Sequence, residues 1–405
     1  MINFQKRVSL FTILLLSFID YLSIGLVYPM FSAMIIGNNG PLLPQETSHA
    51  TRCLWLGIIL ALMPMLQFFS GPILGTLSDR IGRKKIIIIS FIFGIFGYMI
   101  AIMGIKHMNI WLLALSRIII GIASGNEAVG SAAVADISTE KEKAKNFGLF
   151  GMAGGLGFTA GPFIGGKLST LNIGIFSGYT VPFLFAGLMC VINLILFISL
   201  FNETHTTKQT NQDFSFGLIN IKKVFYAPVL VLLFSTVFLY NFGYSFYWEF
   251  IPVFWITKYN FDAEMIGNRL ALGAIVYALS SGLLIRFLES KFKSEKILFY
   301  AFTFGAIFLC MPLLFSSPLI FWLYIPLQEC TIALIFPETS AYISNKFQKD
   351  IQGEMMGVYQ SVRSLALILS PLAAGTLLGI TVSMPMIIGS CTFILAAYII
   401  KHISR

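Results

Sequence analysis

The chain has 405 residues, of which 57% are hydrophobic and 11% charged, with a mean hydropathy of +0.83. A soluble domain carries about 25% charged residues, so this composition excludes a globular enzyme and points to an all-α polytopic membrane protein. The net charge of +9 would otherwise suggest nucleic acid. Here the cations sit in short connections, and the enrichment of cytoplasmic loops in lysine and arginine accounts for them.

A helix needs about 20 apolar residues to cross the hydrocarbon core. Twelve runs qualify, near 8–36, 53–77, 86–105, 110–137, 147–170, 181–201, 226–257, 265–288, 297–315, 319–345, 355–380 and 384–401. The first has no small-residue cleavage site and is expected to remain as a helix. Most of the 27 lysines and arginines lie on one side of these runs, and only Arg52, Lys106 and Lys258 lie on the other. This split predicts twelve spans with both termini cytoplasmic.

Residues 202–225 are polar (Asn202-Glu-Thr-His-Thr-Thr-Lys-Gln-Thr-Asn-Gln-Asp213) and predict a flexible linker. It would join two six-helix halves, 1–201 and 226–405. On the opposite side Gly37–Arg52 is the longest connection, with Asn38, Asn39, Gly40, Pro41 and Pro44 as helix breakers. Gly148, Pro162 and Gly166 recur as Gly357, Pro371 and Gly375 at a constant offset of 209 residues. A parallel repeat about an axis normal to the membrane has this signature. Chance recurrence of Gly and Pro in apolar helices is the alternative.

Ionisable groups within lipid cost roughly 3 to above 10 kcal/mol, so they are functional candidates or members of ion pairs. Asp20 lies near the middle of the first run. It is either a cavity-facing carboxyl that exchanges protons or a neutral group hydrogen-bonded to a neighbouring helix. The fourth run carries Arg117 and, ten residues on, Glu127 after Asn126. Ten residues on a helix separate two side chains by about 80° and 15 Å, so both can face one cavity without pairing. Asp20 is a possible partner for either. Arg117 could instead snorkel to the surface. Asp136 ends this run.

The seventh run holds Tyr240, Phe242, Tyr244, Phe246, Tyr247 and Trp248, followed by Glu249. Such a cluster suits a lipophilic or cationic substrate, or equally an interfacial aromatic belt. Gln328 and Glu329 fall in the middle of the tenth run, and Glu338 falls closer to its cytosolic end. Arg363 in the eleventh demands a counter-charge from Glu329, Glu249 or an anionic substrate group. Cys53, Cys190, Cys310, Cys330 and Cys391 are scattered and show neither metal nor disulfide spacing. His49, His107, His205 and His402 fall in expected loops or tails. There is no nucleophile–His–acid set and no phosphate-binding glycine loop. No metal or cofactor is expected.

Several stretches resemble one family. Gly75-Thr-Leu-Ser-Asp-Arg-Ile-Gly-Arg-Lys-Lys85, read as a short polar loop, resembles the signature loop between helices 2 and 3 of the major facilitator superfamily. In it Gly75 is expected to let a helix end pack closely on a neighbour. Asp79 suits a loop or the positive end of a nearby helix. Arg80, Gly82 and Arg83 complete the motif. Ile19-Asp-Tyr-Leu-Ser-Ile-Gly-Leu-Val-Tyr-Pro29 resembles helix 1 of the tetracycline and multidrug proton antiporters. Leu115-Ser-Arg-Ile-Ile-Ile-Gly121 resembles the family's R-x-x-x-G segment, which implies a part for Arg117 in proton coupling.

Gly157, Gly161, Pro162, Gly165 and Gly166 match the G-x-x-x-G-P-x-x-G-G motif of the antiporting branch. Glycines there permit close backbone contact, and Pro162 bends the helix. The resemblance further implies a gating charge pair between Asp136 and the basic loop, with Arg83 as the partner. It covers nearly the whole first half, and in the second half mainly Gln352–Pro371. Arg286–Lys296 keeps little of the signature. Gly97 stands where tetracycline transporters carry an acid, which speaks against tetracycline as substrate. Glu127 stands where they usually have a small residue.

The expectation is a secondary active transporter of the major facilitator fold, with twelve transmembrane helices in two pseudo-symmetric halves. Its cavity would be lined by helices 1, 4, 7 and 10. A proton-coupled antiporter exporting a small organic molecule fits these residues. A proton-coupled uptake symporter and a non-transporting sensor are the other readings. Protons, a small-molecule substrate and the bilayer are the expected partners, without nucleic acid. A monomer in a prokaryotic inner membrane is the expected form.

Overall fold

The computed structural model describes residues 2–37, 42–139, 142–204, 228–314, 317, 321–346 and 349–403. A backbone in lipid must satisfy its own polar groups, and long apolar runs do so as helices. The first part comprises α1 (Ile2–Ile36), α2 (His49–Ile81), α3 (Arg83–Lys106), α4 (Ile110–Ala123), α5 (Asn126–Ile137), α6 (Lys143–Leu168) and α7 (Thr180–Leu200). The second comprises α8 (Pro228–Tyr259), α9 (Ala263–Leu279), α10 (Ile285–Glu289), α11 (Ser294–Cys310), α12 (Phe321–Lys346), α13 (Lys349–Leu377) and α14 (Met384–Ile403). Helical segments fall on every expected run. Among the described residues, nine helical stretches are long and apolar enough to cross a membrane. The runs on α9–α10, α12 and α13 are interrupted or more polar.

Several boundaries differ from the sequence reading, each for a local reason. Gly75–Lys85 is not a loop. Nothing in 75–81 breaks a helix, so α2 continues to Ile81 and α3 begins at Arg83, leaving Gly82 alone at φ +106°. Only glycine adopts such a backbone cheaply. α2 also starts inside the expected outer connection, because the Ser48 hydroxyl accepts from the Thr51 amide (3.2 Å) and caps the helix. His49 therefore opens a helix and His402 lies near the end of another, not in loops or tails.

The fourth run divides at Ser124–Gly125. A side chain at Gly125 would meet the Gly71 nitrogen of α2 at 2.9 Å. The eighth run carries a π-helical turn, Ser280–Leu284, between α9 and α10. A two-residue antiparallel hairpin, Asn172–Ile173 with Phe176–Ser177, was not expected in an all-α chain. Asn38–Pro41 and residues 205–225 of the expected linker lie outside the described residues.

The chain forms two compact units. The first contains Met1–Gln45, Leu62–Ser215 and Ala263–Asn268. The second contains Glu46–Ala61, Phe216–Asp262 and Arg269–Arg405. In the first, α1 lies against α6 and α7, and α3 against α4 and α7. Its core gathers Ile13, Leu16, Phe91, Val134, Phe150 and Phe197. In the second, α8 packs on α13 and α14, and α11 on α12 and α14. Hydroxyl pairs Tyr240–Tyr359 (2.9 Å) and Tyr247–Tyr324 (3.0 Å) stitch that interior.

Candidate functional site

The break between α4 and α5 places Asn126 and Glu127 in the first turn of α5, inside the first unit. The amino end of a helix favours negative groups. Asn126 donates its amide hydrogen to Oδ2 of Asp20 on α1 at 3.0 Å. Glu127 is bound at both oxygens, by the Tyr21 hydroxyl (2.6 Å) and the Gln67 amide on α2 (2.9 Å). A cavity of about 30 Å³ adjoins Asp20, room for a water or two. Ser23, Ser90, Tyr98, Ser124, Asn126 and Cys190 are among its walls.

Arg117 is buried, with its guanidinium 4.8 Å from the centre of the Phe31 ring. It does not snorkel to the surface. Asp20 faces Asn126, and Glu127 faces Tyr21 and Gln67, in place of the ion pairing that the sequence suggested. Tyr21 and Gln67 escaped the sequence reading. Gln67, a lone amide within an apolar run, was the available signal.

A second cluster surrounds Gly82. Arg83, buried, meets Asp79 at 2.6 Å and Asp136 at 3.1 Å, and donates to the Ser78 hydroxyl. Its charge is thus divided among groups on α2 and α5. Arg80, half-buried, occupies the last turn of α2. Glu203, just past α7, accepts from the backbone amides of Arg83 (3.0 Å) and Lys84 (3.1 Å). The Lys84 ammonium in turn donates to the Phe201 and Ile198 carbonyls at 2.6 and 2.9 Å, at the end of α7. The sequence reading missed Glu203 because it assigned the residue to the linker. Among the described atoms, a side chain at Gly75 would meet nothing within 4 Å. Its carbonyl instead accepts from Ser78 at 2.6 Å.

On α6, Gly157, Gly161 and Gly165 lie directly against the α1 backbone at Phe18, Gly25 and Leu26, where a β-carbon would collide. Gly166 and Pro162 face the first turns of α9 at Ala263 and Gly267 within the same unit. Lys167 and Glu264 form an ion pair there.

In the second unit Glu329 is 3% exposed and faces the Tyr244 hydroxyl at 3.4 Å from both oxygens. The Gln328 amide approaches it at 3.4 Å. Gly273 leaves room for it, since a side chain there would come within 3.2 Å of the Glu329 Cγ. Glu249 accepts from Ser245 at 3.0 Å. Arg363 lies over the Phe336 ring at 5.0 Å, while Glu329 turns to Tyr244. Tyr240, Phe246 and Tyr247 are buried, so they form an interior cluster and not an interfacial belt.

At Gly97 the structure explains the missing acid. A β-carbon there would meet Ile120 Cγ1 at 2.5 Å, so α3 and α4 leave no room for a carboxylate.

The Major Facilitator Superfamily profile matches residues 13–371. Tetracycline resistance protein class E of Escherichia coli is 26% identical over 368 residues, which span 89% of this chain and 85% of that protein. Multidrug resistance protein 2 of Bacillus subtilis (strain 168) is 28% identical over 398 residues, or 95% and 92% of the two chains. Among solved structures, the human organic anion transporter MFSD10 superposes with a TM-score of 0.70 at 18% identity, covering 98% of this chain and 99% of that one. A D-xylose-proton symporter gives a TM-score of 0.71 at 14% identity, covering 95% and 96%. At these identities the two structures speak for the fold. With apolar helices long enough to span a bilayer and a profile match across most of its length, the chain belongs to the Major Facilitator Superfamily and is an integral membrane transporter.

Proposed function

We propose that this protein is a secondary active transporter that exports a small organic molecule in exchange for protons, by alternating access. One observation carries the reading. Asp20, a carboxyl on a membrane helix, is held by Asn126 beside a small cavity whose mostly apolar wall also carries serine and tyrosine hydroxyls, with Glu127 in the same cluster. A carboxyl in that setting has few donors to stabilise its charge, and protonation removes the charge. Proton entry from outside would neutralise Asp20, and release inside would alternate with substrate binding. Glu127 would act with it, oriented by Tyr21 and Gln67.

Glu329, Tyr244 and the surrounding rings would receive the organic substrate, with Gln328, Glu249 and Arg363 as further polar contacts. A cationic or zwitterionic amphiphile suits carboxylates set among aromatics. The names of the tetracycline and multidrug resistance relatives support export. The packing at Gly97 argues for a substrate other than tetracycline. Arg83, Asp79 and Asp136 would lock the cytoplasmic side, and the α1–α6 glycine face would seal the other. The carrier would act as a monomer in a prokaryotic inner membrane, with both termini cytoplasmic.

The test is exchange in proteoliposomes under an imposed pH gradient. Wild-type protein should move substrate against the proton flow, and Asp20→Asn should lose the pH-driven component while still binding substrate. Undiminished pH-driven exchange in that variant would remove Asp20 from the mechanism. Movement of substrate with the proton would replace export by uptake.

A further inference from the structure

The second unit buries a carboxyl group for which the transport cycle above has no use. Glu338, on α12, is 0% exposed. Among the described residues no group comes within hydrogen-bonding geometry of either oxygen, with the Ser294 side chain facing it, and the hydroxyl of Thr339, 2% exposed, is likewise without a partner there. Its polar surroundings are Ser294, the first residue of α11, and two more acids, Glu295 on that helix and Glu289 at the end of α10.

Two lysines of the same stretch stack on rings instead, and Lys293 directly precedes Ser294. Lys291 lies over the Phe287 ring at 4.1 Å, and Lys296 over the Phe292 ring at 4.9 Å. The π-helical turn that packs on α12 has no titratable side chain, and its Ser280 donates to Cys330. On α13, Arg363 lies over Phe336 and the Tyr359 hydroxyl pairs with Tyr240. Among the described residues no lysine or arginine forms an ion pair with Glu338. Asp136 in the first unit differs sharply, since Arg83 and Thr204 both reach it.

An enclosed carboxylate with no cation paired to it is far more costly ionised than neutral. We propose that Glu338 is a second proton-binding site of this carrier, separate from Asp20 and loaded in the conformation described here. Its role in transport rests on the proton-exchange reading. Proton binding itself does not.

The experiment is infrared difference spectroscopy with proton counting on purified protein in lipid nanodiscs, titrated from mildly acid to mildly alkaline pH. Glu338→Gln should lose one protonated-carboxyl C=O band and bind one proton fewer per molecule, while Asp20→Asn loses a different band. Should the glutamine variant not fold, Glu338→Asp keeps a carboxyl and should shift the band. An unchanged proton count and unchanged carboxyl bands in Glu338→Gln, or an unshifted band in Glu338→Asp, would overturn the proposal. The readout is binding and not flux, so it is decided separately from the direction and coupling of transport.

Discussion

The carboxylate of Glu203 fills the space that the absent side chain of Gly82 leaves open. Glu203 binds two backbone amides at the start of α3, and a β-carbon at position 82 would strike that carboxylate. Gly82→Ala therefore meets two penalties, a collision and a backbone conformation that costs about 1–3 kcal/mol for other residues. A clear drop in melting temperature in detergent should follow. Glu203→Gln keeps the shape but puts an NH2 where one accepting oxygen stood, so it loses one backbone-amide hydrogen bond, about 0.5–1.5 kcal/mol, as well as charge against the helix dipole, about 0.3–1 kcal/mol at an exposed site. Equal stability of Gly82→Ala and wild type would show that the two residues are not matched.

Arg83 serves groups on two helices. Removing one partner of a buried ion pair costs about 3–5 kcal/mol, so Arg83→Ala should be among the more destabilising single changes in the first unit. Arg83→Lys should not restore the loss, because an ammonium cannot reproduce the planar guanidinium fork. A double-mutant cycle with Asp136→Asn measures the coupling directly. Additive effects would show that the contact at 3.1 Å carries no energy.

Helix α6 allows an internally controlled comparison. Gly161 lies against the α1 backbone, whereas a β-carbon at Gly151 would meet nothing within 4 Å among the described atoms. Gly161→Ala should destabilise by about 1–3 kcal/mol through overpacking. Gly151→Ala should be neutral or stabilise by about 0.5–1 kcal/mol, since alanine holds a helix better than glycine. Thermal unfolding of the two variants side by side checks this, and identical melting curves would rule out the close approach.

The Tyr21 hydroxyl bonds Glu127 at 2.6 Å. Tyr21→Phe keeps the ring and deletes one bond to a carboxylate, worth about 1.5–3 kcal/mol. If Glu127 takes part in exchange, initial rates of pH-driven transport should fall roughly 10- to 100-fold, the equivalent of that energy. Protein level should change little, while the melting temperature falls by the modest amount that one such bond contributes. A full-rate Tyr21→Phe carrier would make Glu127 a structural residue.

Gly97→Asp should not create a tetracycline carrier. The site is filled by Ile120, so the added carboxylate either forces α3 from α4 or remains buried without partners, and each is destabilising. Reduced yield of folded protein is the expected outcome. A well-folded variant that gains tetracycline efflux would contradict the packing.

Hydropathy and charge are properties of a stretch of chain. The helical runs, the basic Arg83–Lys85 cluster and the Gly157–Gly166 motif were therefore legible without coordinates. So was the possibility that Asp20 lies near Glu127. Contacts were not legible. Nothing local to Asp20 names Asn126, 106 residues away, as its hydrogen-bond donor. Nothing in a polar stretch shows that Glu203 leaves the expected linker to cap α3, or that Gln67 and Tyr21 divide the oxygens of Glu127. The single-residue junction at Gly82 and the break at Gly125 depend on neighbours that α7 and α2 bring. An apolar run is tested over some twenty residues, and small errors of position average out. A hydrogen bond depends on a few tenths of an ångström, and only the packed helices set distances that finely.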